Sequence, residues 1–599
     1  MFPKNGAYHR ILGGQNGLGV RFSSQSDGTP RRFTHASRLR LVYSNQGRPQ
    51  LPFLHPGVLR QPTQHVLRIQ LRRQLARLFS TQTKSHLKYQ ALVTVQYTVS
   101  ISLILVLLWS LQTGITFFYL DKNHPSPREW SLWTRFYWQY AKKLEQGDAE
   151  SGFINWPGIV ECYLKVLARL EDTSIDGIGI QPVLGEEEGD ILVEGVGRTG
   201  FDVSQKSEEW RRSYFESLLG MAKASENVEG LVVERGTNMV FKAASVISPS
   251  NPNPKPLTKG GPPAPREENV YNPFEEPAKY YLKILTTYGL TSRQRLEGAL
   301  AYADWLDHRG LTDTAGDMYD WGLDIAMGSL PQGTGHAANM RTGVISDQAD
   351  HVSSNLLTAS TSLAGYQARQ GNFSAALPVL LSVLRARRQL APPTTRQVDQ
   401  VEPGNGLEKA MLYFKAIFKS FPMADAPPTG DESPERTPAA ICEEAGVMAN
   451  IGELLFAMAT QAKSTTGVDA KGRQTVLKGQ EDGLSWTREA VDLAQLTLDS
   501  VPQRNKEAKN RCLECLQSGA DNWTTMVATM LKHEREANAS LASNSKKGWS
   551  WGEKPLEKSD RWEHEAKAVE GRLEQVRKLL YEDQQKKHEK SMFAALTGN

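Results

Sequence analysis

Gly195-Val-Gly197-Arg-Thr-Gly200 has the G-x-G-x-x-G spacing with which a strand-to-helix turn cradles a pyrophosphate, and Ile191-Leu-Val193 stands before it. That chemistry needs a helix N-terminus at the glycines. Phe201-Asp202-Val203 does not supply one, so the run reads as a flexible loop. Cys512-Leu-Glu-Cys515 has the spacing of half a zinc site, but only Cys162 and Cys442 remain in the chain and no second pair exists. Two readings stay open for these cysteines: buried small residues, or a disulfide formed in an oxidising compartment. His533-Glu534 and His564-Glu565 each lack the second His of H-E-x-x-H and read as solvated helix faces. There is no G-x-x-x-x-G-K-[ST], so any ATP dependence belongs to a partner. The sequons at Asn372, Asn522 and Asn538 matter only in a secretory pathway. No acid–base, nucleophile or metal cluster stands out, and the expectation is a protein that is not an enzyme and holds no cofactor or metal.

Charge is divided unevenly along the chain. Residues 1–90 contain twelve Arg and three Lys against a single acid, Asp27. Of the 70 basic and 66 acidic residues in all, that leaves 55 against 65 in residues 91–599, a mildly acidic body. The basic arm is Arg-dominated, rich in Ser, Gln and Gly, and acid-free from Thr29 through Leu120, which is how a mitochondrial transit peptide reads. Nucleic-acid binding would call for clustered docking elements instead, and no nucleic-acid partner is expected. Val66, Ile69, Leu71, Leu75 and Leu78 alternate at helical spacing with Arg68, Arg72, Arg73 and Arg77, giving one apolar and one cationic face. A membrane potential, negative in the matrix, draws such a helix inward with about 2.3 kcal/mol per charge per 100 mV. Arg77-Leu78-Phe79-Ser80 is similar to the cleavage signal of the mitochondrial processing peptidase and places the cut between Phe79 and Ser80. Residues 1–79 are therefore read as a presequence and 80–90 as a short matrix segment.

From Tyr89 to Leu120 there is no charged residue, and residues 91–120 read as one transmembrane helix, since about 20 apolar residues span a bilayer. Phe117, Phe118 and Tyr119 gather at its C-terminal end, where an aromatic belt belongs. The positive flank places the N-terminus in the matrix and residues 121–599 in the intermembrane space, anchored by contact with membrane lipid through a single pass.

The rest reads as helices broken by polar insertions. An aromatic helix begins at Glu129, facing either the bilayer surface or the core; others run from Trp156 to Leu170 and from Ser207 to Ala224. Together with an acidic loop over 171–206 they make up a juxtamembrane region, 121–246. Residues 247–276 contain eight Pro, which supply no backbone donor, and read as a loop. Further breaks fall at 390–406, 422–438, 463–480 and 540–556. Between them lies a repeat. Leu296–Leu306 with Gly310, Ala315, Tyr319 and Gly322 is matched sixty-one residues later by Leu363-Ala364, Gly371, Ala376, Leu380 and Val383. Small residues (Ala303 and Ala315; Ala364 and Ala376) let paired helices approach, and the Gly ends the first helix. Looser copies pair Ala440–Ala462 with Leu484–Leu498 and Arg504–Ser518 with Ala520–Leu541. The expected fold class is all-α: a TPR-like helical solenoid over 277–585, preceded by the transmembrane helix and followed by a polar tail, 586–599.

The presequence, the single span, His124-Pro-Ser-Pro-Arg-Glu-Trp130, Cys442-Glu-Glu-Ala445 and Gly483-Leu-Ser-Trp-Thr-Arg-Glu-Ala490 together resemble the fungal tetratricopeptide adaptor of the mitochondrial i-AAA protease. The resemblance covers roughly residues 90–585 and rests on structural motifs. It implies an inner-membrane protein that delivers misfolded or unassembled intermembrane-space proteins to the protease, with the protease, a co-adaptor and unfolded substrates as partners. The repeats placed on the family pattern put Asp304, Asp307 and His308 on a peptide groove beside Thr361, Gly365 and Arg369. An assembly scaffold for a respiratory or translocase complex is the competing expectation.

Overall fold

The structure, a computed structural model, describes residues 81–147, 152–182, 200–255, 262–331, 337–349, 351–393, 423–465, 470–502, 505–545 and 561–597. Arg77, Phe79 and Ser80, and with them the cleavage site and presequence, lie outside the described residues, as do Gly195 and Gly197.

Helix α1, Thr81–Asn123, includes the expected span and most of the expected matrix segment in one uninterrupted helix. Through its middle the apolar side chains are exposed: Leu107 is 68 % and Trp109 71 % exposed. Among the described residues it is the one helix long and apolar enough to cross a membrane. Four of its threonine hydroxyls are satisfied locally, since Thr94, Thr98, Thr113 and Thr116 each donate to the carbonyl four residues back, at 2.5–2.9 Å. Such back-bonding removes the polar groups that would be costly in hydrocarbon.

The body from Leu120 onward is a separate unit and is mostly helical. Its helices are α2 (Leu132–Glu145), α3 (Trp156–Leu170), α4 (Glu208–Asn227), α5 (Pro277–Thr286), α6 (Ser292–His308), α7 (Thr312–Gly328), α8 (Ser354–Arg369), α9 (Phe373–Arg388), α10 (Pro438–Thr465), α11 (Ala470–Ser500), α12 (Lys506–Ser545) and α13 (Arg561–Thr597). Each packs on its sequence neighbours, and α4–α6, α6–α8 and α10–α12 touch as alternates. The two clearest repeat copies are the hairpins α6–α7 and α8–α9. Gly310 and Gly371 follow their first helices at φ 78° each, a left-handed conformation suited to Gly. Ala303, Ala315, Ala364 and Ala376 are fully buried between helices. One apolar core runs from Trp130 and α2 through α11, and a second joins α10 to α13 around Leu516, Trp523 and Trp562.

Several boundaries differ from expectation. The aromatic helix starts at Leu132 and not at Glu129, because Asp176 accepts from the Ser131 amide and from the Ser131 and Thr134 hydroxyls, fixing its first turn. The body is not purely α: β1 (Gln181–Pro182) pairs with β2 (Phe201–Asp202), and β4 (Val240–Lys242), β3 (Leu231–Glu234) and β5 (Val270–Tyr271) form an antiparallel sheet whose last strand lies in the expected Pro-rich loop. The expected pair Arg504–Ser518 and Ala520–Leu541 is one continuous helix, α12; its single interior Gly519 lies against Val491, where a Cβ would sit 3.0 Å from that side chain. The breaks at 463–480 and 540–556 are shorter than read, since α11 begins at Ala470 and α12 runs to Ser545. The expected polar tail continues α13 to Thr597, through a stretch without Gly or Pro.

Candidate functional site

The six residues expected on the groove fall on α6 and α8, and the structure brings three of them together. Arg369 donates through Nε to Asp307 at 2.8 Å and through Nη2 to Asp304 at 3.3 Å and to the Tyr319 hydroxyl at 2.7 Å. Tyr319 in turn donates to Asp304 and stacks on Tyr366, with ring centroids 4.8 Å apart. Burial works against the Arg369 charge, but Asp307 and Tyr319 outweigh it and raise its pKa. The Gln370 amide completes the cluster on Asp307 at 2.9 Å. This guanidinium therefore serves to join one hairpin to the next. Gly365 sits beside it, where an added Cβ would lie 3.7 Å from Nη1. The Thr361 hydroxyl, by contrast, donates to the Leu357 carbonyl at 2.6 Å within its own helix and is not aimed outward.

His308 and the other side of Asp304 face a cleft of about 680 Å³, formed by the end of α4, the turn after it, α5 and α6. Tyr281 and Trp305 line it, and Tyr302 stacks between them with ring centroids 5.5 Å from Tyr281 and 5.9 Å from Trp305. Arg309 lies over Trp305 at 5.2 Å and pairs with Glu229. The Tyr281 hydroxyl donates to Glu226 at 2.5 Å, and burial, more than that bond, pushes the phenol far up. Burial also raises the Glu226 carboxyl, against the hydrogen bond from Tyr281 and the charges of Lys223 and His308. The carboxylates of this cleft are already engaged, Glu226 by Tyr281, Glu229 by Arg309 and Asp304 by Tyr319 and Arg369, and Lys223, His308 and Arg309 line it beside them, so its charge is mixed.

Of the two chemistry-bearing motifs, Gly200, Cys512 and Cys515 lie among the described residues. Gly200 packs so closely on the Thr286 backbone that no Cβ fits, and it leads into β2, just past which the Val203 amide donates to the Tyr288 carbonyl at 3.1 Å. No helix starts there. Of the cysteines, Cys512 pairs with Cys442 seventy residues away, with Cα atoms 5.0 Å apart, tying α12 to α10; Cys515 and Cys162 stay free. Burial raises both free thiols to about 11. His533-Glu534 and His564-Glu565 give their carboxylates to helix contacts, Glu534 accepting from the Trp562 amide at 3.2 Å and Glu565 pairing with Arg488. Among the described residues no group of three or more His, Cys, Asp or Glu is placed to hold a metal ion.

Sequence reasoning passed over Tyr319, whose aromatic character suggested packing alone, and Asn355, Ser292 and Arg212, which hold residues 423–433 in place. The Pro427-Pro428 and Gly430 punctuation of that segment was the available signal. No family model, no curated protein and no solved structure matches the chain.

Proposed function

We propose that this protein is a non-enzymatic adaptor of the mitochondrial inner membrane, anchored by α1, whose TPR-like solenoid in the intermembrane space binds misfolded or unassembled proteins and presents them to an i-AAA protease. The observation that carries the reading is an uncovered apolar helix leading directly into a body of serially packed helical hairpins. A serial stack exposes a long surface relative to its core, which suits binding of extended chains. Two further features support it. Leu132, Trp133 and Tyr140 form an exposed apolar row on α2, within twenty residues of the span, as an interfacial belt requires. The Cys442–Cys512 disulfide fits a body in an oxidising compartment and argues against a reducing one.

The test is affinity purification of the full-length protein from gently solubilised mitochondria. The i-AAA protease is expected among the enriched partners. Enrichment of a respiratory or translocase assembly intermediate without the protease would overturn the adaptor reading in favour of a scaffold.

A further inference from the structure

The extended segment 423–433 lies across the N-terminal parts of α4, α6 and α8 as a ligand lies in a groove. Arg212 of α4 donates through Nη1 to the Asp425 carbonyl and through Nη2 to the Ala424 carbonyl, at 3.1 Å each. Ser292, the first residue of α6, donates to the Asp431 carboxylate at 2.6 Å. Asn355 of α8, almost fully buried, donates from Nδ2 to the Thr429 carbonyl at 3.1 Å and to Asp431 at 2.8 Å. The Ser433 hydroxyl lies 3.1 Å from His351 Nδ1, which leaves Nε2, 3.0 Å from the Asp431 carbonyl, to donate there. The first amides of α8, at Ser354 and Asn355, have no partner within the helix; they donate to the carbonyls of Glu432 at 3.4 Å and Gly430 at 3.0 Å.

Two features make this recognition of an extended chain rather than ordinary core packing. Six of the contacts go to main-chain carbonyls, those of Ala424, Asp425, Thr429, Gly430, Asp431 and Glu432, and the others to the Asp431 carboxylate, the Ser433 hydroxyl and the Met423 sulfur, while residues 424–428 are exposed. Gly430 adopts φ 80° against Asn355, where any Cβ would strike the amide, and the carboxylate of the next residue is held by two buried donors. The site thus reads an extended backbone and one Gly-Asp step. Past Pro427 and Pro428 the groove opens into a cavity of about 570 Å³ walled by Phe215, Leu219 and Glu297.

We propose that Arg212, Ser292 and Asn355 form a binding site for an extended polypeptide with a Gly-Asp step, and that residues 423–433 occupy it as an intramolecular ligand which such a polypeptide displaces. This deepens the adaptor reading by naming how a client is recognised. Its test uses purified full-length protein in detergent, without the protease, so it can fail while co-purification succeeds.

A fluorescent peptide of residues 423–434 is titrated into the wild type, Asp431→Ala and Asp431→Ala with Asn355→Ala, and anisotropy is read. Asp431→Ala weakens the built-in ligand and is expected to bind the peptide about tenfold more tightly than the wild type, the factor that one buried charged hydrogen bond supplies. The added Asn355→Ala is expected to abolish the gain. Hydrogen exchange at Ser354 and Asn355 serves as the second readout, including on the wild type should either variant fail to fold. Saturating peptide is expected to raise proteolytic cleavage within residues 424–433 in the wild type while those two amides stay protected. Equal affinity of wild type and Asp431→Ala, or peptide binding that leaves cleavage within 424–433 unchanged, would overturn the proposal.

Discussion

Arg369 stands at the join of two hairpins with half of its side chain exposed, and its partners set what its removal does. Arg369→Ala is expected to lower unfolding free energy by no more than ~1 kcal/mol, because solvent screens the pair and Tyr319 keeps its bond to Asp304. Chemical denaturation of the full-length protein measures this, and a loss several times larger would mean the cluster carries more of the fold than its exposure allows. Glu226 gives a pH signature. Its folded pKa is raised above the usual 4.5, so the folded state disfavours the charged form. Relative to Glu226→Gln, wild-type stability is expected to fall as pH rises above about 4.5, and the two proteins converge below it. A difference that does not change with pH would contradict burial as the cause. Residue positions along α6 and α8 were legible from helical spacing. The pairing of Arg369 with Asp304 and Asp307 was not, because it depends on how one hairpin rotates against the next across more than sixty residues.

At the scale of elements, the last turn of α1 is locked to α2 by a buried pair. Asp121 accepts from Arg135 at 2.5 Å and from Gln139 at 2.8 Å, while Ser126 accepts from both donors. Asp121→Ala removes the carboxylate partner of a buried guanidinium and is expected to cost about 3 kcal/mol, with Asp121→Ala plus Arg135→Met recovering a large part of it. Thermal unfolding decides, and additive losses would show that the two side chains do not depend on each other. Helices α10 and α11 cross at glycines: a Cβ on Gly452 would meet the Gly483 carbonyl at 2.6 Å, and the reverse holds for Gly483. Gly452→Val is therefore expected to destabilise the body by about 2 kcal/mol through overpacking, measured by denaturant midpoint; an unchanged midpoint would mean the crossing relaxes freely. Helix α3 and the hairpins were readable because Pro157, Gly310 and Gly371 mark their ends. The small sheet was not, since strands of two to four residues carry no usable periodicity, and α12 was misread because one interior Gly resembles a turn.

Across the whole molecule, compartment and redox state are linked. Alkylation of the unfolded protein without reductant is expected to modify two thiols, Cys162 and Cys515, and with reductant all four. In the native state at neutral pH both should react slowly, because burial holds their pKa at about 11. Four reactive thiols without reductant would remove the support that the disulfide gives to an oxidising location. The long apolar helix α1 was legible because a charge-free apolar run needs only composition, whereas the proposed client site needed a segment that sequence alone presents as a break. The adaptor claim is tested most directly by pulse-chase turnover of a destabilised, membrane-tethered reporter in the intermembrane space, in mitochondria with and without this protein. Removal is predicted to slow the reporter's degradation while the i-AAA protease stays abundant, and re-expression of the full chain to restore it; unchanged turnover in its absence would contradict the account.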